Sequence, residues 1–243
     1  MNFTYESYGN LLSLLRERGY KQANYWNYQS VPYAVILRHD IDTSLKQALA
    51  MAEYEAKMGV KSTYFLLLKT DFYNPASTSA QCVIQRIHSL GHEIGLHFDE
   101  EAYPTSSQEE ITAAICNEAS ILSNICGFSI RAVSMHRPSQ QILAADITIP
   151  NMVNSYGHTF FRDFKYLSDS RRRWREPVEE IVSSKSFKRL HILTHPFWYH
   201  RDELSLEESV KSFILHANSE RYLQMEDNVS NLSEVMKAEE LLR

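Results

Sequence analysis

The sequence predicts an α/β fold of mostly parallel strands followed by a long helical segment, and three observations predict it. Short apolar runs of strand length alternate with helical segments along the first two hundred residues, the pattern of strands joined by right-handed helical crossovers. Four of those runs end in chemically useful polar residues: His39-Asp40-Ile41-Asp42, His97-Phe98-Asp99, His136-Arg137-Pro138 and His195-Pro196. In parallel α/β folds the carboxyl ends of the strands share one rim, and ligands bind there. Finally, the last glycine is Gly157 and the last proline is Pro196, so Leu204 to Arg243 contains neither breaker and reads as helix, interrupted once near Asp227 to Ser230.

The elements follow in order. Leu11 to Arg18 is amphipathic and stops at Gly19, as a helix with a glycine beyond its C-cap does. Tyr33 to Leu37 is an apolar run of strand length, followed by a helix that Thr43 caps and that runs through Met58 to Gly59. Val60 to Leu68 is a strand, Gln81 to Leu90 a helix closed by Gly91, and Glu93 to His97 a short strand. Ser106 and Ser107 stand three residues before Glu109 and Glu110, overlapping capping boxes for a helix that reaches Ile125. Ile130 to Met135 and Arg189 to Thr194 are strands. Ser205 with Glu208 opens the final helix with another capping box. No repeat, low-complexity tract or linker-like stretch interrupts this order, so residues 1–243 read as one domain.

Composition excludes several classes of function. The chain has 243 residues, 44% hydrophobic and 23% charged, with formal net charge −5, ordinary globular values. No basic field covers it, so nucleic acid is not its expected partner. No apolar run approaches the roughly 20 residues that span a bilayer. The first residues lack a basic stretch followed by an apolar one, so no signal peptide is read. Cys82, Cys116 and Cys126 are odd in number and form no CxxC pair; they are expected to be reduced, mostly buried thiols of a cytoplasmic protein.

The strand ends carry the chemistry. Asp40 and Asp42 are two apart, so in extended chain both carboxylates face one side. They repel unless a proton or cation lies between them, and a divalent ion resolves this with one Asp as ligand and the other free as a base. The competing reading is a helix N-terminus, where the dipole favours Asp. His92 and His97 are five apart, so in a strand they face opposite sides: His97, at the carboxyl end, faces the site, and His92 is a structural, hydrogen-bonded histidine. Asp99 shares the face of His97. Imidazole with carboxylate suits zinc first and also Co, Ni, Fe or Mn. His195, with His191 deeper in the same strand, is placed to protonate a leaving amine; the competing reading is a core histidine. Arg171, Arg172, Arg173 and Arg175 surround Trp174, where an indole can stack on a sugar and arginine can clamp phosphate; a solvated basic loop is the alternative. Trp198 and Tyr199 either line an acyl pocket or pack.

These residues resemble the polysaccharide deacetylase, or NodB-homology, family of carbohydrate esterases over roughly Val35 to Pro196. LRHDID (37–42) is similar to the family's first motif, which implies Asp40 as catalytic base and Asp42 as metal ligand. GHEIGLH (91–97) matches the second motif, which implies His97 as ligand. LTH (193–195) matches the last, which implies His195 as general acid. The family's fold is a distorted (β/α) barrel. Two positions depart from the pattern. Glu101 stands where a second ligand His is usual, and His136 stands where an arginine usually holds the catalytic Asp. The third ligand is therefore Glu101, Asp99 or His136, with His136 first because a neutral imidazole on a neighbouring strand end can reach a shared ion. The resemblance, on a divergent branch, implies a metal-dependent hydrolase removing an N-acyl group from an amino sugar of surface polysaccharide or its nucleotide- or lipid-linked precursor. In this scheme Asp99, Arg137, Ser139 and Trp174 contact substrate, and a backbone N–H near Ser139 serves the oxyanion. Three alternatives stand beside it: a degenerate carbohydrate-binding module, an amidase for a non-sugar substrate, and a glycosyltransferase using Asp-x-Asp.

Overall fold

The computed structural model describes residues 1–103 and 107–242. The chain forms two compact units, Met1–Arg201 and Asp202–Arg243. The join lies in the polar run His200-Arg201-Asp202-Glu203, which contains neither glycine nor proline.

In the first unit, helix α1 (Tyr5–Glu17) starts six residues before the expected Leu11, because the Thr4 side chain accepts the Ser7 N–H at 3.1 Å. Its buried stripe of Tyr8, Leu11, Leu12 and Leu15 follows helical spacing. Strand β1 (Lys21–Ala23) precedes β2 (Ala34–Ile41), whose eight residues are all buried. Helix α2 (Leu45–Lys57) is capped by Ser44, which accepts the Gln47 N–H, and not by the expected Thr43. Strand β3 (Thr63–Leu67) is followed by α3 (Thr78–Ser89), then β4 (Glu93–Asp99). Helix α4 (Gln108–Cys126) is capped by Ser107 accepting the Glu110 N–H; the cap expected from Ser106 lies outside the described residues. Next come β5 (Ala132–His136), α5 (Gln140–Ala145), β6 (Val153–Asn154), β7 (Lys165–Ser168), α6 (Val178–Ser184) and β8 (Arg189–Thr194).

The strands form one sheet in the order β6-β5-β4-β3-β2-β8-β7, with β1 added to the start of β2. Every strand pair is parallel. The sheet curls into a half-barrel with helices around it, the distorted (β/α) barrel expected. β1, β6 and β7 escape sequence reading because two to four residues show no usable period.

Alternation divides the barrel into two layers. Odd residues of β2, such as Val35, Leu37 and Ile41, join the large cluster packed against the helices, while Ala34 and Ile36 face an inner cluster with Tyr25, Phe65, Ala132, Phe160 and Phe164. Continuing in phase from Ala34 and Ile36, Arg38 and Asp40 also lie on the inner face. The same parity puts His97, Ser134, His136 and His195 inside. The inner layer is therefore apolar at the amino ends of the strands and polar at the carboxyl ends.

Two glycines are required by this packing. A Cβ on Gly95 would lie 2.5 Å from two ring carbons of Phe65, and Gly91 has φ +91°, a backbone that side chains other than glycine rarely adopt.

The second unit holds α7 (Leu206–Glu226), which ends where the break near Asp227 is expected, and α8 (Leu232–Val235). The Ser205–Glu208 capping box is present in both directions, at 3.1 and 2.7 Å. Among the described residues no helix is long and apolar enough to cross a membrane. Of the three free thiols only Cys126 is buried; Cys82 is exposed and Cys116 half-buried, because Cys82 falls on the solvent side of α3.

Candidate active site

Five of the expected residues meet at the carboxyl rim of the barrel: Asp40, Asp42, His97, His136 and His195. His97 Nε2 lies 3.2 Å from Asp42 Oδ1, His136 Nδ1 lies 3.4 Å from the same oxygen, and the two ring nitrogens are 3.1 Å apart. Ligands held about 2.0–2.1 Å from a tetrahedral ion stand roughly 3.3–3.4 Å from one another, which this triangle matches. Asp42 Oδ1 is buried and makes no hydrogen bond of good geometry among the described residues. Two imidazole nitrogens aimed at each other and at one carboxylate oxygen need a proton or a cation between them. A carboxylate with two imidazoles is also a donor set that divalent transition ions accept. The residues present fit a metal. The third corner is His136, on β5. Glu101 is exposed and does not line the cavity.

Asp40 is held by a residue that sequence reading missed. Arg38, two positions earlier on the inner face of β2, is fully buried. Its Nη2 donates to Asp40 Oδ2 at 2.7 Å and its Nε to Oδ1 at 3.2 Å. Nη1 donates to Ser155 Oγ at 2.9 Å and Nη2 to Ser134 Oγ at 2.7 Å, while Tyr156 and Phe65 flank the guanidinium at 4.6 and 5.4 Å from their ring centroids. The arginine that holds Asp40 comes from the strand of the Asp itself, which leaves His136 free to stand beside His97 and Asp42. Burial would raise the Asp40 pKa; Arg38, then His97 and His195, outweigh it and lower it. Asp42 behaves alike: burial raises, the imidazoles of His136 and His97 outweigh it, and its carboxyl stays ionised far below the ordinary range.

Ser134 joins the two halves of the site. Its Oγ lies 3.3 Å from both Asp40 oxygens and 3.1 Å from His97 Nδ1. The one hydroxyl proton goes to the carboxylate, so Oγ accepts from Nδ1–H of His97. That leaves the Nε2 lone pair facing Asp42.

His195 closes the opposite side. Its Nε2 is 3.9 Å from Asp42 Oδ2, and its Nδ1 donates to Asp169 Oδ1 at 2.6 Å. Asp169, fully buried just beyond β7, also accepts the His195 backbone N–H at 3.1 Å. Burial would lower the His195 pKa, but Asp169 first and Asp42 and Asp40 after it raise it to about 9. Asp169 also was missed, because the four-residue β7 that positions it has no readable period.

The remaining expected residues scatter. Asp99 and Arg137 line the cavity, together with Trp198, Phe72 and Lys69. Arg137 is exposed and has φ +47°. Ser139 does not line the cavity: its N–H and Oγ both donate to the Glu100 carboxylate, so that N–H is already engaged. Trp174 is half-buried, packs on the main core and is also absent from the cavity wall. Arg172 in that basic loop lies over the Phe3 ring at 5.3 Å, and Tyr199 is a core residue. His92 is structural, as expected: it accepts the Ser62 N–H at 3.1 Å and faces Ala52 O at 3.0 Å. His191 is likewise buried, against Tyr25 Oη and Phe160 O.

The cavity above these groups has a volume of about 490 Å³, enough for a sugar ring with substituents. Backbone strain sits on its wall. Arg137 precedes Pro138, and a residue before proline is driven toward extended backbone. A left-handed arginine there costs roughly 1–3 kcal/mol.

No protein-family model matches the sequence, and no curated protein matches it. The fold is similar to that of several solved carbohydrate esterases. A CE4 family pseudoenzyme from Bacillus anthracis shares 18% identity at a TM-score of 0.44, over 74% of this chain and 58% of that one. A family 4 acetyl xylan esterase from Clostridium thermocellum, solved with a cobalt ion, shares 15% identity at 0.40, over 67% and 73%. The peptidoglycan deacetylase PdaC from Bacillus subtilis shares 13% identity at 0.42, over 75% and 80%. This chain thus spans little more than half of the first of these proteins.

Proposed function

We propose that this chain is a metal-dependent hydrolase that removes an N-acyl group, acetyl first, from an amino sugar. The carrying observation is the triangle of Asp42 Oδ1, His97 Nε2 and His136 Nδ1, with sides of 3.1 to 3.4 Å, standing between a held carboxylate and a held imidazole.

Asp42, His97 and His136 would hold a divalent ion, which when bound would supply Lewis acidity and lower the pKa of an attacking water. Zinc is the first choice, with Co, Ni, Fe or Mn as alternatives. The protein's own groups do the rest. Asp40, kept ionised and oriented by the Arg38 fork, takes the proton of the water that attacks the acyl carbon. His195, protonated and fixed by Asp169 through Nδ1, gives its Nε2 proton to the departing amine. The surroundings thus push Asp40 down and His195 up within one site, the separation expected of an acid–base pair.

The amino-sugar substrate, including the nucleotide- or lipid-linked form, belongs to the same proposal. The cavity volume and the aromatic wall of Phe72, Phe197 and Trp198 support a sugar ring. A cytoplasmic setting is part of it, supported by three unpaired thiols.

Asp42→Ala tests the scheme: elemental analysis should show loss of stoichiometric metal, and acid release from N-acetylated sugars should vanish together with it. Full activity without metal would overturn the reading. A metal-free wild-type chain that still binds glycan would favour the carbohydrate-binding module, and formate or ring-opened product from non-sugars the amidase.

A further inference from the structure

Two cations stand on the cavity wall at the ends of β3 and β5, the strands on either side of β4. Lys69 follows β3 and Arg137 follows β5; both are exposed and both line the cavity. Neither has a carboxylate within 4.0 Å among the described residues, whereas Arg38, Lys165 and Lys211 do. The Lys69 ammonium sits 3.5 Å above the Tyr103 ring and 3.4 Å from Ala102 O, so its position is fixed by neutral partners. Arg137 is placed by a left-handed backbone immediately before Pro138, a conformation that no local preference favours. It follows His136 directly, and both residues line the same cavity.

Three of the carboxylates on the wall have partners of their own. Asp40 is neutralised by Arg38, Asp42 faces two imidazoles, and Asp99 accepts the Glu101 N–H at 3.1 Å. Asp71 is a further carboxylate on the wall, on the β3 side with Lys69. An open guanidinium with five donors in a planar fork fits an oxyanion bidentately.

We infer that Arg137, assisted by Lys69, recognises an anionic group carried by the acylated sugar, so that the substrate is an N-acyl amino sugar bearing a phosphate or carboxylate rather than a neutral glycan. The inference rests on the hydrolase reading of this site and names its substrate class. Arg137 acts as a specificity residue; it takes no part in the proton transfers.

The test compares the metal-loaded full chain with Arg137→Gln and Arg137→Lys. The substrates are N-acetylglucosamine, its 1-phosphate, its 6-phosphate, and an N-acetylated aminouronic acid. Wild type should show at least a tenfold higher kcat/KM on one of the anionic compounds than on the neutral sugar, and the advantage should shrink with added salt. Arg137→Gln should reduce that ratio about tenfold or more, and Arg137→Lys should restore part of it. Preference for a phosphate or for the uronate identifies the anion. Equal turnover of charged and neutral sugars, or a ratio unchanged in Arg137→Gln, overturns the inference and leaves the hydrolase reading standing. If no sugar is turned over, calorimetric binding of the same compounds decides. Tighter binding of an anionic sugar, lost in Arg137→Gln, retains the anion site while the hydrolase reading falls. Equal or absent binding overturns both.

Discussion

Two buried carboxylates, Asp169 and Glu55, show how single residues set the chemistry of their neighbours. Asp169 raises the His195 pKa to about 9. A general acid works only while protonated, so activity should persist below that value and fall as pH rises through it. Asp169→Asn removes the largest raising partner. The alkaline limb of kcat/KM should then move to lower pH, with a loss of roughly 10²–10⁴-fold at neutrality; an unmoved limb would show that His195 is not the acid. Arg38→Met leaves Asp40 buried without its counter-charge, which should cost about 3–5 kcal/mol in denaturant unfolding. Glu55, on the other side of β2, accepts from Tyr8 and Ser62 hydroxyls at 2.6 and 2.7 Å and from Tyr64 at 2.7 Å, with His39 Nε2 at 3.0 Å. Burial raises its pKa, but His39 and the hydroxyl donors win and bring it from 4.5 down to about 2. A depressed carboxylate stabilises the fold above its unfolded pKa and loses that contribution as pH falls through the folded one. Stability should therefore decline between about pH 4.5 and 2, and Glu55→Gln should flatten that decline in acid-unfolding curves.

At the scale of the element, strand parity converts spacing into position. Along β2 the inner face reads Ala34, Ile36, Arg38, Asp40, so one strand carries apolar packing at its start and a buried ion pair at its end. β5 repeats the pattern with Ala132, Ser134 and His136. The GHEIGLH segment shows that motif residues serve packing as well as chemistry. Gly95 lets the Phe65 ring lie against the backbone of β4. Gly95→Ala should cost about 1–3 kcal/mol by overpacking, read as a lowered melting temperature, and a Phe65→Leu partner change should recover part of the loss by vacating that space. The site residues remote from the strands behave differently. Ser139 and Trp174 lie in connections, and connections took Ser139 into a contact with Glu100 and Trp174 onto the core.

At the scale of the whole molecule, three strand ends supply the Asp42–His97–His136 triangle, and unfolding disperses it. A ligand that binds only the folded state stabilises by mass action, about 2.7 kcal/mol at a hundredfold excess over Kd. Added divalent ion should therefore raise the melting temperature of wild type and a chelator should lower it, while His97→Ala should show no shift with either. A metal-independent melting curve for wild type would contradict the assembled triangle.

The amino-acid sequence by itself determined the α/β class and most of the strand and helix order, and it marked the strand ends that carry Asp40, Asp42, His97 and His195 as one polar rim. These properties are local: periodicity, caps, and polar residues at the ends of apolar runs are all visible within a few positions. Only the tertiary structure decided that His136 stands beside His97 and Asp42, that Arg38 rather than a residue of the His136 segment holds Asp40, and that Asp169 holds His195. Those choices depend on curling the sheet until strands far apart in sequence share an inner layer. Hydrogen-bond partners 26 to 117 residues away, as for His195 with Asp169 and Arg38 with Ser155, leave no periodic trace in the chain.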